Sequence, residues 1–358
     1  MVTLPFGGAF NGTRAMVTGH TGFKGAWLTL WLRDLGAQVT GISLADPPSA
    51  PNLFDLLEVA PEINDLRFDL ADFERTREAI AEAAPNVVFH LAAQPLVLEG
   101  YARPHETIQT NVLGTTNVLE AVRAIGGVRS VVIATTDKCY RPDGTPHPFV
   151  ESDPLGGEDP YSASKAAAEM VCAAYRQLPA MPPVATIRAG NVLGGGDWGA
   201  HRLVPDLIRA WKTNEPVVIR NPGSVRPWQD ILDCLSGYLR VSQLHLETGA
   251  EPFGTYNIGP LAGARDSVSE IIDASIVALG GGTWNHVDGD PAKPENPVLF
   301  LDATRAVEHL GWRPRLTGLQ AATNAAEWYR RFYKGESAAK LCDQALTTFQ
   351  SMAASSVN

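Results

Sequence analysis

Arg14-Ala15-Met16-Val17-Thr18-Gly19-His20-Thr21-Gly22-Phe23-Lys24-Gly25 is the stretch on which the fold turns. Its first five residues read as a buried strand. Three glycines follow at Gly-x-x-Gly-x-x-Gly spacing, and residues 26–35 then read as a helix with Leu28, Leu32 and Leu35 on one face. Glycines let the backbone turn tightly and come close to a pyrophosphate, and a helix N-terminus offers free N–H groups and a favourable dipole. A glycine cluster alone is a plain turn. The strand–turn–helix setting is what makes it a nucleotide loop, with Gly19, His20, Thr21, Gly22, Phe23, Lys24 and Gly25 as its candidate contacts.

Outward from this loop, short apolar runs alternate with helical patterns. Strands are expected at 38–44, 66–68, 87–91, 130–134 and 184–188, and helices at 73–83 and 107–124. A further helix is expected to carry Tyr161 and Lys165. Near-continuous apolar strands between helices imply a parallel sheet covered on both faces, and the right-handed crossover rule makes it a doubly wound α/β (Rossmann) sheet. After residue 188 the pattern changes. A glycine-rich turn at 194–196 leads to a helix at 204–211, a short strand at 216–220, a strand end at 256–259, and helices at 268–279 and within 299–310. Residues 1–187 and 231–259 are therefore assigned to the Rossmann domain. Residues 188–230 and 260–345 are assigned to a smaller C-terminal lobe, and residues 346–358 to a flexible tail.

Composition narrows the function classes. The 358 residues are 45% hydrophobic and 19% charged, enough for an ordinary core. The formal net charge is −10, with no long basic run, which argues against nucleic acid as a partner. Cys139, Cys172, Cys234 and Cys342 form no close pair, so neither a metal site nor a disulfide framework is expected, and a reducing cytoplasm is the simplest location. The start of the chain has no basic segment followed by an apolar run, and no stretch approaches the ~18 apolar residues of a membrane span.

The chemistry-bearing residues lie around the fifth strand. Tyr161 and Lys165 are four apart and share one helical face. An ammonium so placed is expected to lower the phenol from its usual value of about 10 towards neutrality, giving a base for a hydroxyl whose carbon loses hydride. Thr136-Asp137-Lys138 sits at the end of the strand at 130–134, where a doubly wound sheet binds its ligands. By itself the Asp137-Lys138 pair would read as an exposed ion pair in a loop. Leu91-Ala92-Ala93-Gln94 ends the fourth strand with small residues past which a cofactor can run close to the backbone. His90 is expected to be a satisfied core residue, and Asn257 to shape a strand end.

The glycine spacing resembles that of the extended short-chain dehydrogenase/reductase family. With Phe89-His90-Leu91-Ala92-Ala93-Gln94-Pro95-Leu96-Val97, Tyr161-Ser162-Ala163-Ser164-Lys165 and Arg188-Ala189-Gly190-Asn191-Val192-Leu193-Gly194-Gly195-Gly196-Asp197-Trp198, the chain is similar to its NAD-dependent sugar epimerase/dehydratase branch. Simple epimerases of that branch carry serines at the end of the fifth strand, and most 4,6-dehydratases carry Thr-Asp-Glu. Lysine at the third place, as in Lys138, is similar to the CDP-glucose 4,6-dehydratase family. The resemblance covers residues 10–315.

That resemblance implies bound NAD and a CDP-linked glucose as substrate, oxidised at C4, dehydrated across C5 and C6, and reduced at C6. It makes Tyr161 the base at the C4 hydroxyl with Thr136 beside it, and Lys165 their partner. It makes Asp137, its pKa raised by burial, the acid for the leaving C6 hydroxyl, and Lys138 or Tyr161 the C5 base. It puts Asp69 and Leu70 at the adenine ring, although Asp69 or Asp72 would also serve as a helix cap. Leu91, Ala92, Ala93, Gln94 and Asn111 join the cofactor contacts, and Gln94, Asn191, Arg202 and Arg226 the substrate contacts, arginine being suited to a pyrophosphate. The second strand ends without the usual acidic residue for the ribose. Asp46 lies just beyond, and no arginine stands there for a 2′-phosphate, so NAD is favoured over NADP. A homodimer or homotetramer, deoxysugar biosynthesis and lipopolysaccharide O-antigen supply are further implications. Competing readings are an epimerase or dehydratase for a UDP-, dTDP- or GDP-linked sugar, and a non-catalytic relative that senses NAD.

Overall fold

A computed structural model of the chain describes residues 5–142, 144, 147–249, 254–261, 263–288 and 299–355. Seven parallel strands form the central sheet: β1 Arg14–Thr18, β2 Gln38–Ser43, β3 Asn64–Arg67, β4 Val87–His90, β5 Ser130–Ala134, β6 Val184–Ala189 and β7 Gly254–Ile258. Their spatial order is β3-β2-β1-β4-β5-β6-β7, so the chain reverses direction across the sheet between β1 and β4. The two loops leaving β1 and β4 therefore diverge and open a crevice at the carboxyl ends of the strands.

The central strands form where the sequence is apolar on both faces, while the edge strand β3, Asn64–Arg67, is polar and only partly covered. Every residue of β4 and β6 is buried. One core, centred on Trp27, Trp31, Tyr238 and Phe89, packs the helices Phe23–Asp34 and Ile231–Thr248 on one face. A second, around Met16, Ile80, Val118 and Ile133, packs Phe73–Ala83 and Gly114–Ile125 on the other. Outside the central sheet, the chain adds the helices Leu203–Thr213, Val268–Leu279 and Gly318–Phe332 and a parallel strand pair, Val217–Ile219 with Trp284–His286.

Three long helices lie outside the elements expected from sequence: Ile231–Thr248, Gly318–Phe332 and Ala338–Ser355. The last corrects the flexible tail assigned to 346–358. Leu341, Cys342, Leu346 and Phe349 are buried, and the Phe349 ring meets Trp31 edge-on at 5.7 Å. Burying four large side chains offsets the entropy that would otherwise fray a terminus. Residues 356–358 lie outside the described residues. No helix among the described residues is long and apolar enough to cross a membrane, and none of their His, Cys, Asp and Glu side chains form a group of three able to hold a metal.

Candidate active site

The glycine loop is a cradle built for close approach. Gly19 has φ of 75°, and a Cβ there would stand 2.7 Å from the Ala92 nitrogen. A Cβ on Gly25 would stand 2.0 Å from the Gly19 oxygen, so the loop tolerates no side chain at either place. The helix Phe23–Asp34 starts from Gly22 with no side-chain cap and no acid in its first turn. Its leading N–H groups are thus open to an anion, the arrangement a dinucleotide pyrophosphate requires. Thr18 joins the loop to β4: its hydroxyl lies 2.7 Å from His90 Nδ1 and accepts from the Ala92 N–H at 3.3 Å. The other ring nitrogen of His90 lies 3.0 Å from Thr115 Oγ1. Burial pushes the His90 imidazole down to about 3, so it stays neutral and structural, as expected.

Several expected cofactor contacts take other duties. The His20 ring is fully buried, 2.8 Å from Asp65 and 3.0 Å from Ser43 Oγ, with Phe54 edge-on at 4.8 Å. It holds the loop against β2 and β3 from within, and only its backbone lies along the cradle. Asn111 accepts from the Gln94 N–H at 2.8 Å and donates to the Gln94 carbonyl at 3.1 Å and to Ser164 Oγ at 2.8 Å. Gln94 donates to Thr107 and accepts from Leu96 N–H. Both amides are therefore engaged by the protein, and they shape the β4 loop instead of reaching into the crevice. Asp72 caps the helix Phe73–Ala83, which leaves Asp69 exposed with one oxygen on the Ala71 N–H and Leu70 buried beside it.

Two contacts at the end of β2 were not legible in the sequence. Arg67, from the end of β3, reaches the Leu44 carbonyl at 3.4 Å while paired with Asp65 at 2.6 Å. An arginine therefore does stand beside the β2 end, which corrects the reading that none does, and its charge is met by Asp65; Asp46 itself is exposed. Asn52 donates to the Thr21 carbonyl at 2.9 Å and caps the helix Leu53–Leu57, fastening that segment to the glycine loop. Partners 31 residues apart leave no local pattern to find them by.

The residues expected to be catalytic gather on the other side of the crevice. Tyr161 and Lys165 lie in the helix Pro160–Tyr175, started by Asp159 accepting from the Ser162 N–H at 3.0 Å. Thr136 follows β5, and its hydroxyl donates to Asp137 Oδ1 at 2.9 Å and stands beside the Tyr161 phenol. Asp137 is buried, and its second oxygen, Oδ2, has no protein partner. Lys138 lies across from it, Nζ 3.5 Å from Asp137 Oδ1, with about a third of its side chain exposed. A buried carboxyl, a partly exposed lysine and the phenol thus lie together at the end of β5.

The expected effect of Lys165 on Tyr161 is not what the fold sets up. Lys165 Nζ donates to the Ala134 carbonyl at 3.1 Å. Burial, with Lys24 nearby, brings the Lys165 ammonium down to about 8. Burial pushes the Tyr161 phenol up to about 12, opposed by the Thr136 hydrogen bond and the charge of Arg202 and reinforced by Asp137. Desolvating a phenolate outweighs these favourable neighbours, and Lys165 acts first on the end of β5.

The residues expected on the substrate side lie beyond β6. Asn191 follows β6; its backbone carbonyl accepts from the Gln229 N–H at 2.9 Å and its side-chain oxygen is buried without a partner. Trp27 Nε1 donates to the Gly195 carbonyl at 2.9 Å, and Tyr329 OH donates to the Asp197 carbonyl, so the loop is pinned by the helices Phe23–Asp34 and Gly318–Phe332. Arg202 pairs with Asp197 at 2.9 Å, close enough to Tyr161 for each to influence the other's charge. The Arg226 guanidinium donates to the Val225 carbonyl at 2.9 Å. Asn257 is structural, as expected. It accepts from Tyr140 OH at 2.6 Å and donates to the Phe149 and Asp302 carbonyls.

Fold, glycine cradle and Tyr–Lys pair together define an NAD-dependent enzyme acting on a sugar nucleotide scaffold. The NAD dependent epimerase/dehydratase family matches residues 15–259, and the chain belongs to it. Within that family the chain is 41% identical over 335 residues to the CDP-glucose 4,6-dehydratase of Salmonella typhimurium, covering 91% of this chain and 93% of that one. It is 27% identical to the dTDP-glucose 4,6-dehydratase of Xanthomonas campestris pv. campestris, covering 88% and 92%. The solved dTDP-glucose 4,6-dehydratase of Streptomyces venezuelae, with NAD bound, superposes with a TM-score of 0.77 at 22% identity over 88% of this chain and 97% of that one, a likeness of fold.

Proposed function

We propose that the chain is a lyase that converts CDP-D-glucose to CDP-4-dehydro-6-deoxy-D-glucose. The observation that carries this is Asp137, a buried carboxyl with one oxygen free of protein partners, set between Thr136 and Lys138 beside Tyr161. An epimerase needs no acid for a leaving hydroxyl. The identity with a CDP-glucose 4,6-dehydratase over nearly the whole chain supports the sugar nucleotide.

Bound NAD, held by the glycine cradle, Ala92 and Ala93, supplies the acceptor and later the donor of the hydride that leaves C4 and returns at C6. Tyr161 takes the proton of the C4 hydroxyl, with Thr136 orienting that oxygen. The resulting ketone acidifies the C5 hydrogen. Lys138 takes that proton while Asp137 gives its own to the C6 hydroxyl, which departs as water. As hydride returns to C6, Lys138 gives its proton back to C5, and the proton that Tyr161 took restores Asp137 through the Thr136 hydroxyl that bonds it. The 3.5 Å between Lys138 Nζ and Asp137 Oδ1 sets base and acid side by side for adjacent carbons, which is why Lys138 is preferred to Tyr161 as the C5 base. Arg202, Arg226 and Asn191 are the groups available for the nucleotide's pyrophosphate and sugar, Arg202 leaving Asp197 to do so.

The enzyme is read as a cytoplasmic homodimer serving deoxysugar biosynthesis. Four free, buried cysteines suit a reducing compartment. Exposed Ile108, Leu113 and Met170 lie on two helices that pack against each other, an apolar face suited to a second copy.

The test is turnover. Purified protein with NAD and CDP-glucose is expected to form a 4-keto-6-deoxy product, detected by the absorbance such ketones develop in alkali. Turnover of UDP- or dTDP-glucose with none of CDP-glucose would reject the substrate.

A further inference from the structure

Glu169 is one helical turn beyond Lys165 and two beyond Tyr161, and its carboxylate is buried. It accepts from Thr135 Oγ1 at 2.5 Å, Thr186 Oγ1 at 2.9 Å and Arg188 at 3.0 Å. Thr135 immediately precedes the Thr136-Asp137-Lys138 segment. Arg188 lies 4.7 Å from the centre of the Tyr140 ring, just past that segment, and donates to the Glu151 carbonyl at 3.1 Å. Tyr140 is itself clamped, stacked on Phe149 at 4.8 Å and bonded to Asn257. One buried ion pair thus grips the chain immediately before and after the three residues that do the acid–base work. It grips them from the helix that carries the phenol.

Such a pair is a costly way to gain stability, because desolvating two charges consumes most of their attraction. Its geometry makes sense as registration: it sets two catalytic elements, a helix and a strand end, at a fixed separation. We propose that Glu169 is a positioning residue for dehydration. It acts through Thr135 directly and through Arg188 and Tyr140 to hold Asp137 and Thr136 against Tyr161. The proposal rests on the reading of the site as a dehydratase.

Glu169→Gln leaves Arg188 uncompensated and risks the fold, so Thr135→Val is the sharper probe: it keeps the shape and removes one hydroxyl. Thr186→Val removes another hydroxyl from the same carboxylate without touching the segment, and Thr135→Ser restores the bond. In Thr135→Val, kcat for CDP-glucose is expected to fall at least tenfold, towards the roughly hundredfold that an ångström of misplacement costs, with KM little changed. Reduced cofactor should accumulate, seen in its near-ultraviolet absorbance, because oxidation at C4 outlasts the elimination. Without substrate, amide hydrogen exchange at 138–140 should quicken. Thr135→Ser should recover, and Thr186→Val should show neither effect. Unchanged exchange in Thr135→Val, or equal damage from Thr186→Val, would overturn the positioning role. A wild-type enzyme inert to CDP-glucose would instead defeat the functional reading, with the exchange experiment still deciding whether Glu169 holds the segment.

Discussion

Asp137 keeps one carboxyl oxygen without a protein partner, which leaves it open to a ligand. Its neighbours account for the placement: Thr136 binds one oxygen, Lys138 faces the same edge, and the other oxygen is left for a ligand. Asp137→Asn is therefore expected to spare oxidation at C4 and stop the loss of water. Mixing that variant with CDP-glucose should give a lasting reduced-cofactor absorbance and no 4-keto-6-deoxy product; full dehydration would remove Asp137 from the acid's role. At this scale much was legible in advance. Tyr161 and Lys165 share a face because four residues make about one helical turn, and Thr136-Asp137-Lys138 is contiguous. The direction of Lys165 was not legible, since it depends on where the Ala134 carbonyl lies across a helix–strand contact.

Among the elements, the helix Ile231–Thr248 begins at Asp230, whose carboxylate accepts from the Leu232 N–H at 2.8 Å while buried. Burial, with Asp233 adding its charge, raises Asp230 from the ordinary carboxylate range to about 7. The sign follows from proton binding. Between about pH 4 and pH 7 the folded state keeps a proton that the unfolded chain has lost, so stability falls as pH rises through that window. The full effect is on the order of 4 kcal/mol. Asp230→Asn keeps a good cap and abolishes the titration. Its melting temperature relative to wild type should climb from pH 4 to pH 7 and level off above; parallel profiles would show that Asp230 does not titrate so. Element prediction succeeded where strands are buried on both faces. It failed for the helix Gly318–Phe332, whose buried stripe opens with Ala321, Ala322, Ala325 and Ala326 and carries large side chains, Trp328 and Tyr329, only near its end. The capping box of Thr317 and Gln320 was the available signal.

For the whole molecule, the pairing proposed for two copies through the helical segments that carry Ile108, Leu113 and Met170 depends on surface shape and not on the fold. Met170→Glu combined with Ile108→Glu is expected to lower the mass in solution from twice 38.4 kDa to 38.4 kDa, as measured by light scattering. A wild-type protein already monomeric at micromolar concentration would refute the pairing. The C-terminal helix Ala338–Ser355 closes the opposite side, with Phe349 on Trp31 and the Arg315 guanidinium on the Phe349 carbonyl at 2.7 Å. The sequence alone determined the doubly wound sheet, the glycine turn between β1 and its helix, and the grouping of Tyr161 with Lys165, because each rests on short-range periodicity or on neighbours within one turn. Tertiary structure decided what bonds across distance. It turned Asn111 and Gln94 inward, brought Arg67 to the end of β2, folded the supposed tail onto the core, and set Glu169 and Arg188 around the catalytic segment. Those outcomes depend on which polar groups meet when apolar faces close, and a buried polar group takes whichever partner the packing brings within reach.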